Sequence, residues 1–173
     1  DEFGIHIGLC ESDTPVLGVV YRVAKGEIYY GVKNVGAFRE NKNGKKKLEI
    51  DEGSLEDVVC VTSYGEKALK NIEAFIKLLK IKRIVRGAAT GLRILKLVDG
   101  EADFYILPPS QVKPWDLCAP HAILEASGGN AKYVDGSKIS YPNIDNSKTI
   151  LFTRTDEQSS LIADKIKHTS IYN

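Results

Sequence analysis

Through the first fifty positions apolar residues tend to alternate with others, and beyond them they recur at helical spacing. Phe3, Ile5, Ile7 and Leu9 take every second place in "DEFGIHIGL", which predicts a strand with these four side chains on one face. Ser12–Asp13–Thr14–Pro15 carries turn chemistry and separates it from "VLGVVYRV", a second strand. Lys25–Gly26 can turn the chain into "EIYYGV", and Asn43–Gly44 predicts a hairpin after "GAF". "DVVCVTS" then reads as a short buried strand. Ala68, Leu69, Ile72, Phe75, Ile76 and Leu79 line one face of a helix. "KRIVRG" predicts a strand, Leu92, Leu95 and Val98 a helix closed at Gly100, and "ADFYIL" a strand stopped by Pro108–Pro109. "WDLCAPHAILEASGG" predicts a helix ended by Gly128–Gly129. "NAKYV", "KTILFTR" and a last helix through Leu161, Ile162 and Ile166 complete the chain.

Two rhythms imply two parts. Residues 1–54 predict an antiparallel sheet, and residues 55–173 an α/β layer with helices on both faces of its sheet. A sheet built from the first segment alone has one face uncovered, which points to helices outside this sequence. The 173 residues contain no methionine and begin already in strand pattern, as a fragment begins.

Composition narrows the function classes. A formal net charge of +1 gives no global field to attract nucleic acid or an anionic membrane, so neither is expected as a partner. Lys45–Lys46–Lys47 reads as a solvated hairpin tip. Cys10, Cys60 and Cys118 are far apart, odd in number and in apolar surroundings, as expected of reduced core residues in a cytoplasmic protein. No apolar run is long enough to cross a bilayer.

Chemistry concentrates in two places. Asp116 follows the only tryptophan on a strand-to-helix connection, where open α/β sheets collect ligands. Its carboxylate can cap the following helix or hold a hard cation such as Mg²⁺ through one oxygen. Pro120 leaves the helix start open, either irregular near Asp116 or at Pro120 itself. Trp115 is expected to pack on the sheet and fix the direction of that carboxylate. "RGAATGLR", residues 86–93, opens a helix with small residues whose free N–H groups attract phosphate, and Arg93 lies one turn in. It is neither a GxxxxGK[ST] loop nor a GxGxxG fingerprint. His6, His121 and His168 form no catalytic set and read as surface or satisfied histidines. Asp99, Glu101 and Asp103 read as a solvated turn.

Together "PVLGVVY", "GEIYYGVKNVGAF", "GLRILKLVDGEADFYI" and "WDLCAPHAILEASGG" resemble, in order, segments of the inositol monophosphatase superfamily. The resemblance covers nearly the whole chain, and "KPWDLCAPHAIL" is most similar to the 3'(2'),5'-bisphosphate nucleotidase branch. It implies a layered αβαβα sandwich and Mg²⁺-dependent phosphomonoester hydrolysis, commonly inhibited by lithium. The implied substrate is a small phosphorylated molecule, adenosine 3',5'-bisphosphate first and an inositol phosphate as the alternative. On this resemblance Asp116 is a metal ligand, and Thr62, Ala89 and Arg93 contact substrate. Gly65 stands where the branch usually has a histidine. The family's Glu-Glu pair and Asp-Pro-x-Asp-Gly-Thr motif, which hold most metal ligands and the catalytic residues, belong upstream of Asp1. A chain without them is expected to be inactive alone, and a non-catalytic binding module is the competing reading.

Overall fold

A computed structural model describes residues 2–51, 58–141, 143–167 and 169. The first sheet is an antiparallel meander of β1 (Ile5–Glu11), β2 (Thr14–Arg22), β3 (Glu27–Val32), β4 (Gly36–Asn41) and β5 (Gly44–Leu48), paired in that order. The 4–5 hairpin forms, but Asn41 pairs with Gly44, so its two-residue turn is Lys42–Asn43. Gly44 opens the returning strand at φ +119°, and Asn41 Oδ1 accepts the Asn43 N–H at 2.9 Å. Lys45, Lys46 and Lys47 on that strand are exposed.

The remaining described residues give β6 (Val59–Thr62), α1 (Glu66–Leu79), β7 (Arg83–Arg86), α2 (Thr90–Val98), β8 (Phe104–Leu107), α3 (Pro114–Ala126), β9 (Asn130–Tyr133), β10 (Ile150–Thr153) and α4 (Asp156–Lys167). The second sheet has the order β7-β6-β8-β10-β9. β6 runs parallel to β7 and β8, and β10 antiparallel to β8 and β9. The expected division at residue 54 falls within 52–57, outside the described residues.

The layers follow from which faces are apolar. α3 packs on β1, β2 and β3 of the first sheet and against α2, while α2 meets β6 and β8 of the second. These two helices therefore fill the space between the sheets. One core joins Val20, Tyr29 and Ala37 of the first sheet to Leu95, Leu117, Ile123 and Phe152. A second core, with Ile72, Phe75, Phe104, Leu151 and Ile162, lies beneath α1 and α4 on the far side of the second sheet. The arrangement is sheet, helices, sheet, helices.

The first sheet turns its smaller face inward. His6, Gly8 and Cys10 of β1 face α3, while Phe3, Ile5, Ile7 and Leu9 stay exposed on the other side. Close approach explains the choice. A β-carbon at Gly18 would overlap the Ala119 carbonyl, and one at Gly31 would lie 2.7 Å from the Ile123 Cα, so α3 lies almost on the strand backbones. The apolar stripe Phe3–Leu9 lies together on one face, as the alternation predicts, and that face is the uncovered one.

Candidate active site

The site is assembled where β1, the start of α2 and the start of α3 meet. α3 begins at Pro114, earlier than either start the sequence left open. Proline suits that first helical position because its missing N–H would have no helical partner there. Asp116 is then the third helical residue, and its Oδ2 accepts the Lys113 N–H at 2.9 Å. Among the described residues its other oxygen makes no hydrogen bond. One oxygen of the carboxylate thus caps the helix, which leaves the other available. Pro120 lies inside the helix and removes the N–H that the Asp116 carbonyl would otherwise accept.

Trp115 does not pack on the sheet. It is 71% exposed, because the second helical position precedes the buried run that begins at Leu117. It lines an open groove of about 440 Å³ with His6, Gly8, Cys10, Pro114 and Cys118. The direction of Asp116 is set instead by its bond to Lys113.

The small-residue turn lies at the carboxyl ends of the parallel strands β6 and β7. Gly87 N–H bonds the Thr62 carbonyl at 3.0 Å, and Thr62 itself is buried at the end of β6. Ala89 is the N-cap of α2 in extended backbone and offers no side-chain cap. The first amides of the helix are therefore left for an outside acceptor. The turn already attracts one, for the Glu2 carboxylate accepts the Ala88 N–H at 2.8 Å.

Arg93 is turned inward. Its Nη1 donates to the Gly87 carbonyl at 2.9 Å and to that of Ala88, and its Nη2 to Thr90 Oγ1 at 2.8 Å. Its guanidinium lies 5.0 Å from the centre of the Tyr105 ring. The side chain braces the turn.

His6 joins the two halves of the site. A β-carbon at Gly91 would overlap the imidazole, so the ring rests against the first turn of α2. Burial lowers its pKa, opposed by the Asp116 charge, which places that carboxylate within electrostatic reach of the ring. Its Nε2 is buried without a hydrogen-bond partner among the described residues. The sequence reading left His6 as a surface or satisfied residue; the alternation of β1 does set it opposite Phe3 and Ile5, and what was missing was which face packs. Glu2 carried no sequence signal.

The other histidine described is structural. His121 is buried, with Nδ1 3.0 Å from the Tyr141 hydroxyl and Nε2 3.1 Å from Glu125 Oε1 without an aligned hydrogen bond. His168 lies outside the described residues. The turn after α2 is not a solvated one: Asp99 is largely buried against Tyr29, Arg22 and Arg39, and Asp103 Oδ2 accepts the Val59 N–H at 2.7 Å. Both carboxylates tie sequence-distant segments together. Gly65, where a histidine was expected, precedes α1 at φ +90°, a backbone that a histidine would adopt only under strain.

The donor set fits one corner of a Mg²⁺ site. Asp116 supplies one hard oxygen, and among the described residues no three His, Cys, Asp or Glu side chains are grouped to share a metal ion. A lone carboxylate in water does not hold Mg²⁺, which surrenders its own water reluctantly.

Comparison with known proteins bears on family and fold. The sequence profile of the inositol monophosphatase family matches residues 1–169. The chain is 31% identical over 142 residues to the 3'(2'),5'-bisphosphate nucleotidase CysQ of Buchnera aphidicola, covering 81% of this chain and 51% of that protein. It is 26% identical over 132 residues to a fructose-1,6-bisphosphatase/inositol-1-monophosphatase of Aquifex aeolicus, covering 73% and 48%. It thus spans about half the length of these relatives. In fold it is similar to the inositol monophosphatase of Anabaena, with a TM-score of 0.76 at 22% identity, covering 96% of this chain and 64% of that one. CysQ from Bacteroides thetaiotaomicron gives a TM-score of 0.74 at 20% identity, covering 90% and 64%. With the profile match running through almost the whole sequence and the layered sandwich in common, this chain belongs to the inositol monophosphatase family.

Proposed function

We propose that this chain is the carboxy-terminal portion of a Mg²⁺-dependent, lithium-sensitive phosphomonoesterase acting on a 3'(2'),5'-bisphosphate nucleotide, with adenosine 3',5'-bisphosphate the leading substrate and an inositol phosphate the alternative. The observation that carries this reading is His6, which rests against the first turn of α2 and lies within electrostatic reach of Asp116, so that this carboxylate and a turn whose Ala88 amide takes a carboxylate flank one imidazole. In this reading Asp116 contributes one metal ligand, and the rest come from sequence outside the chain. Bound metal would gather the phosphate oxygens and lower the pKa of a water. The chain's own residues bind and orient. Amides of the turn around Ala89 receive the phosphate with the help of the α2 dipole, and Thr62 at the adjoining strand end and Arg93, which also braces the turn, contact the substrate. Three free cysteines support a reducing, cytoplasmic setting.

The test is phosphate release by the full-length parent polypeptide from adenosine 3',5'-bisphosphate and from inositol 1-phosphate, with and without Mg²⁺. Hydrolysis should require Mg²⁺ and favour the nucleotide, and Asp116→Asn should lower it by about 100-fold or more. The 173-residue chain alone should release no phosphate. Brisk Mg²⁺-dependent turnover by the chain alone would refute the division of ligands. A parent inert toward both substrates would favour the competing reading, a non-catalytic binding module, to which Gly65 in place of a histidine lends support.

A further inference from the structure

We propose that Cys10 and Cys118 are a reversible redox pair, closed into an intrachain disulfide by a small-molecule disulfide such as oxidised glutathione. The sequence distance between them conceals a close approach: the two Sγ atoms lie 3.2 Å apart, and both thiols are free. Two features of β1 and β2 create that approach. The ladder between the strands shifts register between Leu9 and Cys10, pairing Cys10 with Pro15 after Leu9 with Leu17, and such a shift re-aims a side chain. Gly8 then leaves room for its partner, because a β-carbon there would stand 2.5 Å from Cys118 Sγ. Closure needs the sulfurs to move from 3.2 Å to the roughly 2.05 Å of a disulfide, about one ångström of travel.

Access sets the order of events. Cys10 is partly exposed and opens, like Cys118, on the groove beside Trp115 and Pro114. Cys118 is buried. Cys10, as thiolate, therefore attacks the small disulfide first. It forms a mixed disulfide and releases one small thiolate. Cys118 gives up its proton and attacks the Cys10 sulfur, expelling the second small thiolate. Two protein thiols are oxidised to one disulfide and one small disulfide is reduced to two thiols, so electrons and protons balance. The bond ties β1 to the first half of α3, two residues beyond Asp116, and it rests on no assumption about the reaction catalysed there. Cys60 takes no part; it is buried in the other core, with its thiol pushed up to about 12 by burial.

The experiment treats the whole chain with oxidised glutathione and removes the excess. Thiols titrated in denaturant should fall from the three of the sequence to one. Intact mass should fall by two hydrogens, and a tryptic map should yield one linked peptide pair containing Cys10 and Cys118. Dithiothreitol should restore three thiols. The oxidised chain should melt at a higher temperature, since the bond closes a loop of more than a hundred residues in the unfolded state. Cys10→Ser and Cys118→Ala should each abolish the linked pair; if either variant fails to fold, the wild-type map and its reversal decide alone. A glutathione adduct that persists without a crosslink, a crosslink between two chains, or three thiols surviving oxidation would each overturn the proposal.

Discussion

The hydroxyl of Tyr29, in the middle of the first sheet, donates a 2.7 Å hydrogen bond to Oδ2 of Asp99 at the end of α2. Arg22 donates to the same hydroxyl at 3.1 Å, and Arg39 Nη1 lies 3.2 Å from Asp99 Oδ1. Three strands' worth of polar groups thus converge on one carboxylate. Tyr29→Phe keeps the packing and removes the bond, so it should cost about 1–3 kcal/mol. Asp99→Ala leaves two guanidinium groups without their shared partner and should cost about 3–5 kcal/mol. Urea titrations of both variants check this; an unchanged midpoint for Tyr29→Phe would mean the link adds nothing to stability.

Close approach between Gly18 and Ala119 makes a sharper demand. Backbone stands on both sides of the contact, so neither partner can swing away as a side chain would. Gly18→Ala should destabilise by about 3 kcal/mol or more and yield little soluble protein. A soluble variant with the parent's melting temperature would show that α3 has room to move off the sheet.

These two contacts separate what the sequence disclosed from what it concealed. Period-two alternation and turn residues marked the first sheet, and helical spacing marked α1 and α2, because local chemistry decides them. The face of β1 that packs was not legible: Ile5 and Ile7 look like core, yet Gly8, Gly18 and Gly31 set the inner face by letting a helix come near. Trp115 was misplaced for the same reason, since large apolar bulk says nothing about which turn of α3 is covered. Asp99 read as solvated because its partners, Tyr29 and Arg39, are distant in sequence. Asp116 was legible as a helix-capping carboxylate, and only its position in the first turn of α3 showed that one oxygen suffices for the cap.

Asp135 links stability to acidity. Burial alone would raise its carboxyl, but hydrogen bonds from Lys148 and from the side chain and amide of Ser137 outweigh that and hold it at about 2, against an ordinary 3.8. A depressed carboxyl adds stability that is complete above the unfolded value and is lost as pH falls from about 4 toward 2. After allowance for solvent screening the contribution is about 1–2 kcal/mol. Asp135→Asn should be less stable than the parent at pH 7 and should lose less on acidification. Parallel curves of unfolding free energy against pH, for the two proteins, would contradict this.

The Glu2 carboxylate holds the Ala88 amide that the proposed function gives to phosphate. Glu2→Gln removes a negative charge from the mouth of the turn without removing the backbone donors. Inorganic phosphate should then bind several-fold more tightly, with the largest amide shift at Ala88 in a two-dimensional NMR titration. Equal affinity in both proteins, or shifts elsewhere, would show that this turn is not where an anion docks.

The burial of α3 between the two sheets has a consequence for synthesis. A ribosome releases β1, β2 and β3 well before residues 114–126 exist, so the meander emerges with its inner face still wet. At about 5–20 residues per second, that interval is on the order of several seconds, long compared with hairpin formation. The nascent chain must hold this half-built layer in register, or under the care of a chaperone, until the helix arrives to close over its glycines.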